Sequence, residues 1–155
     1  IKWEIFPVKV HGKVFDQPRE CCYIADENFP YRYSGYSRKP LPWTKNLKEL
    51  CKLLNDSIKQ LYPKHKNLNA VLCNKYRDGK DYIGFHSDDE RDLVTNSFIA
   101  SISIGASRDF IFKHKNTSEK IVIPLNSGDL ILMGENCQKN YKHSVPKRLK
   151  VKVNH

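Results

Sequence analysis

No stretch of this 155-residue chain approaches the roughly 18 consecutive apolar residues that a membrane-spanning helix requires, so no transmembrane segment is expected. The opening IKWEIFPVKV is too polar for a secretory signal, and the five cysteines, an odd number, include no Cys-x-x-Cys spacing. Cys21, Cys22, Cys51, Cys73 and Cys137 therefore read as reduced thiols rather than a disulfide framework or a structural zinc site, which suits an intracellular protein. Internal repeats and low-complexity tracts are absent, which excludes solenoids and argues against disorder. Acidic residues are the scarcer charge, 17 against 27 Lys and Arg, giving a formal charge of +10. That excess favours polyanionic partners, nucleic acid first, with a merely solvated basic surface as the competing reading. What remains is 39% hydrophobic and 28% charged, the mixture of a globular protein of one folding unit, residues 1–155.

The first forty residues alternate short extended pieces with turn formers, and His11-Gly12 suits the tip of a β-hairpin. After Pro40, Pro42 and Trp43, the segment TKNLKELCKLLNDSIKQLYP sets Leu47, Leu50, Cys51, Leu54, Ile58 and Leu61 at spacings of three and four. This predicts an amphipathic helix with Thr44 as its cap and Pro63 as its stop. From Asn69 the pattern changes to AVLCNKY, IGFHSDDE, FIASISIGA, RDFIFKH, KIVIPL, GDLILM and KHSVPK, short apolar runs divided by turn signals. Closely spaced strands without intervening helices predict an all-β second half, an antiparallel barrel or a double-sheet jelly roll.

Within that half, His86 and Asp88 stand two residues apart, so an extended strand projects both to one side. His143 follows 57 residues after His86 in a late strand segment. Two imidazoles and one carboxylate on one face of a metal form the facial triad of non-haem iron oxygenases, which leaves positions open for co-substrate and oxygen. An H-x-D triplet alone is more often a surface turn, and a lone histidine more often a packed one. His11, His65, His114 and His155 lack a partner at strand spacing and read as structural or surface residues.

The runs Asn74-Lys75-Tyr76-Arg77-Asp78-Gly79 and Ile83-Gly84-Phe85-His86-Ser87-Asp88-Asp89-Glu90-Arg91 resemble the signature of AlkB-type iron(II)- and 2-oxoglutarate-dependent dioxygenases. Ile99 to Ala106, Arg108-Asp109-Phe110, Ser127-Gly128-Asp129-Leu130 and His143-Ser144-Val145-Pro146 extend the resemblance, which is strongest to the eukaryotic branch that prefers double-stranded DNA. It implies a mainly β fold with some α: a double-stranded β-helix (jelly roll) core in residues 43–155 that includes the helix, preceded by a nucleotide-recognition lid in residues 1–42. It implies oxidative removal of alkyl groups from 1-methyladenine and 3-methylcytosine in DNA, with Fe(II), 2-oxoglutarate and O2. RNA demethylation by the same chemistry, and a non-catalytic nucleic-acid-binding jelly roll, are the alternatives. A monomer in the nucleus is the implied setting.

Carried over by position, His86, Asp88 and His143 become the iron ligands, and Asn74 and Tyr76 hydrogen-bond donors to 2-oxoglutarate. Tyr31, Tyr33 and Ser34 become lid residues around an extruded base, with Asp89 and Glu90 beside it. Arg108, Arg148 and Lys150 fall where the family's duplex-preferring branch touches phosphates. Two departures stand out. His11 occupies the hairpin tip where that branch carries an aromatic finger, and imidazole fills the gap left by a flipped base less well than phenyl. The family's closing strand with its two arginines, one pairing with a 2-oxoglutarate carboxylate, would begin near His155; either that strand lies beyond this sequence, the favoured reading, or co-substrate binding is impaired.

Overall fold

The computed structural model describes residues 1–10, 12–33, 35–90, 93–94, 97–134 and 136–150. Strands dominate, and their order gives the expected jelly roll. The N-terminal segment begins with a hairpin of β1 (Pro7–Val10) and β2 (Lys13–Asp16), in register with Val10 opposite Lys13. The pairing leaves a two-residue turn, and Gly12 adopts φ +79° there, a conformation that costs glycine little. The tip residue His11 lies outside the described residues.

Next comes β3 (Glu20–Ala25), nearly all of it buried, and the hairpin of β4 (Tyr31–Tyr33) and β5 (Tyr36–Arg38). The predicted helix is α1 (Lys45–Leu61), and the Thr44 side chain accepts a hydrogen bond from the Leu47 amide, satisfying one of the free donors of its first turn. Its apolar stripe meets the rest of the protein through Ile58, while Leu61, predicted on the same stripe, is exposed where the helix ends.

The second half supplies β6 (Ala70–Lys75), β7 (Ile83–His86), β8 (Ile99–Ile102), β9 (Arg108–His114), β10 (Lys120–Leu125), β11 (Leu130–Met133) and β12 (Tyr141–Val145). It is not all-β as expected, because a four-residue helix, α2 (Cys137–Asn140), precedes β12. A single turn of helix leaves no periodicity for a sequence pattern to show. One sheet runs β10-β9-β12-β7, and β11-β8 and β3-β6 are antiparallel pairs. Alternation along β9 sends Phe110 and Phe112 inward, where they form the core with Leu125 and Met133.

The chain after β12 crosses the β6–β7 loop closely. The Arg148 amide donates to the Gly79 carbonyl at 2.7 Å, and a Cβ at position 79 would sit 1.9 Å from the Arg148 carbonyl oxygen. Only glycine fits that crossing.

Candidate metal and co-substrate site

His86 ends β7 and His143 sits in β12, and the two residues are direct partners across the antiparallel pair. Residues separated by 57 positions are thereby set side by side, with ring centroids 4.2 Å apart. Asp88 lies just past the end of β7. Its Oδ1 is 3.5 Å from His86 Nε2 and its Oδ2 is 3.4 Å from His143 Nε2. The three ligand atoms lie within 4.8 Å of one another, the convergence a single cation needs. His143 is 5% exposed, and its ring stacks on Phe110 at 5.2 Å and 12°.

Supporting hydrogen bonds orient His86 and Asp88, whereas His143 Nδ1 is buried with no hydrogen-bond partner among the described residues. His86 Nδ1 lies 2.9 Å from the Gly84 carbonyl, which favours the tautomer that turns a bare Nε2 toward the metal position. The Asp88 amide donates to Gln138 Oε1 at 2.9 Å, and the Ser87 hydroxyl donates to the Tyr141 carbonyl. Gln138, from α2, was not singled out in the sequence, where one glutamine in NCQKNY carries no signal. Burial opposes ionisation of Asp88, yet hydrogen bonds from both imidazoles hold its carboxyl well below the usual carboxylate range. Burial likewise pulls on His86, but the Asp88 carboxylate and the Gly84 carbonyl outweigh it and raise the imidazole. A fixed anion between two imidazoles that must otherwise share protons is a donor set suited to a divalent cation. His86, Asp88 and His143 would hold iron.

Asn74 and Tyr76 lie on and just past β6. The Asn74 Oδ1 accepts from Arg19 Nε at 2.8 Å and from the Cys21 thiol at 3.3 Å. Burial pushes the Tyr76 phenol up to about 12, against the opposing charge of Arg19, so its hydroxyl remains a donor at neutral pH.

The N-terminal segment meets the stretch that carries His86 and Asp88 through Tyr31, whose hydroxyl donates to Glu90 Oε1 at 3.1 Å while its ring stacks on Tyr23 at 5.0 Å. Burial pushes the Glu90 carboxyl up, and Asp88 adds to that. Asp89 is exposed, Tyr33 is described for its backbone pairing with Tyr36 alone, and Ser34 lies outside the described residues.

The three cations assigned to phosphate by position are placed differently. Arg108 turns inward, donating from Nη2 to the carbonyls of Asp81 and Pro146 at 2.8 and 2.7 Å and from Nη1 to that of Asp78, and it lies 5.3 Å from the Tyr76 ring centre. Its donors tie the β6–β7 loop to the chain after β12 rather than facing solvent. Arg148 pairs with Asp109, and Lys150 is exposed. His114 accepts from the amides of Asn116 and Thr117, and His65 packs edge-on against Phe98, structural roles as expected for both.

The sequence matches the family described as the 2OG-Fe(II) oxygenase superfamily over residues 6–155. The chain belongs to that superfamily and, within it, to the AlkB type. It is 37% identical to the human DNA oxidative demethylase ALKBH2 over 93% of its own length and 56% of that protein's, and 31% identical to ALKBH2 of Arabidopsis thaliana over 97% and 54%. It is also 33% identical to the human alpha-ketoglutarate-dependent dioxygenase alkB homolog 3 over 86% and 47%. The chain thus spans about half the length of the curated relatives it matches. Among solved structures, that of OsALKBH1 superposes with a TM-score of 0.66 at 16% identity, covering 89% of this chain and 69% of the other, which shows the shared fold.

Proposed function

We propose that this protein is an iron(II)- and 2-oxoglutarate-dependent dioxygenase that removes alkyl groups from damaged bases in DNA, with 1-methyladenine and 3-methylcytosine as its substrates. The observation that carries the reading is the convergence of His86, Asp88 and His143 to within 4.8 Å from segments far apart in the chain. Bound iron and 2-oxoglutarate would supply the oxidising power to hydroxylate an N-alkyl carbon, which then leaves as an aldehyde.

The protein's own residues bind and orient. His86, Asp88 and His143 would fix the metal, Asn74 and Tyr76 would donate hydrogen bonds to 2-oxoglutarate, and the Tyr31–Glu90 pair would close one wall of a base pocket. An extruded base gains about 1–3 kcal/mol by stacking on an aromatic face, and the positive charge of an alkylated base suits a wall lined by Glu90 and Asp89. The +10 charge would draw the protein to DNA, with Arg148 and Lys150 as the phosphate contacts. A nuclear monomer is the setting we infer.

Incubation with Fe(II), 2-oxoglutarate, O2 and a methylated oligonucleotide is expected to release formaldehyde, and to release none with the His86→Ala variant. Parallel assays on single-stranded DNA, duplex DNA and RNA identify the polymer. DNA binding that persists without any formaldehyde release would make the protein a binder and defeat the enzymatic reading.

A further inference from the structure

We propose that Arg19 is a ligand-binding residue of this site, its guanidinium joining the Asn74 amide to grip a carboxylate of 2-oxoglutarate. The inference deepens the functional reading above and rests on it.

A buried guanidinium must be paired, because losing water costs several kcal/mol that only good partners offset. Arg19 is 5% exposed, yet among the described residues no carboxylate lies within ion-pairing distance of it. The adjacent acid, Glu20, is taken by Lys75 at 2.8 Å. Within the described residues its side chain donates from Nε to Asn74 Oδ1, and the Cys21 sulfur is its other neighbour. Nη1 and Nη2 are left with four N–H groups and, among the described residues, no oxygen acceptor.

The neighbours make the deficit specific. Cys21 stands directly opposite Asn74 in the β3–β6 register, and its thiol takes the second lone pair of Oδ1. With both acceptor positions filled, the amide orientation is fixed, and Asn74 Nδ2 is left as a donor without a partner among the described residues. Arg19 and Asn74 therefore offer donors only, and the protonated Tyr76 hydroxyl adds another donor beside them. The Arg19 charge acts on the Tyr76 phenol, so the three groups lie within electrostatic reach of one another. Such a group selects an anion with paired oxygens, which a guanidinium meets with two parallel hydrogen bonds. A cationic alkylated base would be repelled.

The test titrates 2-oxoglutarate into the Mn(II)-loaded protein by calorimetry, for wild type, Arg19→Met and Arg19→Lys. Arg19→Met is expected to weaken 2-oxoglutarate roughly 10- to 100-fold, as loss of charge-assisted hydrogen bonds implies. Arg19→Lys keeps the buried charge and so the fold, but as a point donor it should still weaken binding several-fold. Affinity for Mn(II) alone and for a methylated oligonucleotide should stay within about two-fold, readouts that a general loss of structure would move. Unchanged 2-oxoglutarate affinity in Arg19→Lys and Arg19→Met, or weakened oligonucleotide binding in its place, overturns the assignment while leaving the enzyme reading intact. Wild type that fails to bind 2-oxoglutarate at all overturns both. A crystal structure of the wild-type protein with Mn(II) and 2-oxoglutarate in which no carboxylate oxygen comes within about 3.2 Å of Arg19 would also overturn it, whatever the variants do.

Discussion

In the sheet β10-β9-β12-β7, Phe110, Phe112 and His143 are each less than a tenth exposed, whereas every residue of β2 is exposed and Phe15 is 51% exposed. The first region is four strands wide and packs its inner face into the core; the second is a two-stranded ribbon, marginal by itself in water. His86 and His143, the imidazoles that would hold the metal, ride on the first, and the hairpin proposed to handle nucleic acid is the second. A facial triad tolerates little displacement and needs ligands held by packing, while a surface that must accept a large flexible polymer is better built from elements that cost little to move. Substitutions in the two regions should accordingly separate stability from function.

The largest effect is expected at the metal. His86→Ala removes one of three proposed ligands from the half-buried end of β7, and metal affinity should fall by more than the roughly 10- to 100-fold that loss of a supporting contact costs. The thermal melt of the metal-free protein should change little, because His86 is not part of the buried core. Calorimetric Mn(II) titration beside a circular dichroism melt separates the two quantities.

Phe110→Ala tests the same sheet from its core side. Deleting a buried phenyl ring costs about 3–5 kcal/mol, and this one also backs the His143 imidazole. Urea denaturation should show the full loss, and metal affinity should drop with it. A variant that keeps wild-type stability would mean that His143 is held by something other than the core.

Asp81 offers an intermediate effect with a pH signature. It is 5% exposed, and its carboxylate accepts from the Arg77 amide and Nε through Oδ2 and from Nη2 through Oδ1. The Arg77 hydrogen bonds hold its carboxyl below the ordinary value despite burial. A folded-state depression of this kind contributes stability above the unfolded value near 3.9, and the contribution is lost as pH falls through the lower folded one. Asp81→Asn should therefore cost about 1–3 kcal/mol at neutral pH and flatten the decline of stability below about pH 4. Urea midpoints measured across pH 2 to 7 (about five units) check both.

How much of this could be read from the chain alone follows the same division. Helix α1 was legible because its apolar residues keep one period and Thr44 caps it, and the inward Phe110 and Phe112 were legible from strand alternation. His86 and Asp88 could be paired from their spacing, but that β7 and β12 set His86 opposite His143 is a matter of strand order that no local pattern encodes. Arg108 looked like a surface cation because nothing in RDF reveals that three carbonyls converge on it. Arg19 was one of 27 cations until burial without an acidic partner set it apart.

The smallest stability effect is expected on the ribbon, where it is the most informative. Phe15→Ser removes a half-exposed ring from β2, a change that should move the unfolding free energy by no more than about 0.5 kcal/mol. Scattered exposed apolar residues are ordinary, but Phe15 shares its strand with Val14, 56% exposed, on a hairpin whose partner strand is also short. If that ribbon serves to meet duplex, the same substitution should weaken binding of a methylated duplex more than of a single strand, measured by fluorescence anisotropy at fixed salt. A Phe15→Ser variant that melts as early as Phe110→Ala would join the hairpin to the core and erase the distinction between a rigid metal platform and a pliable lid.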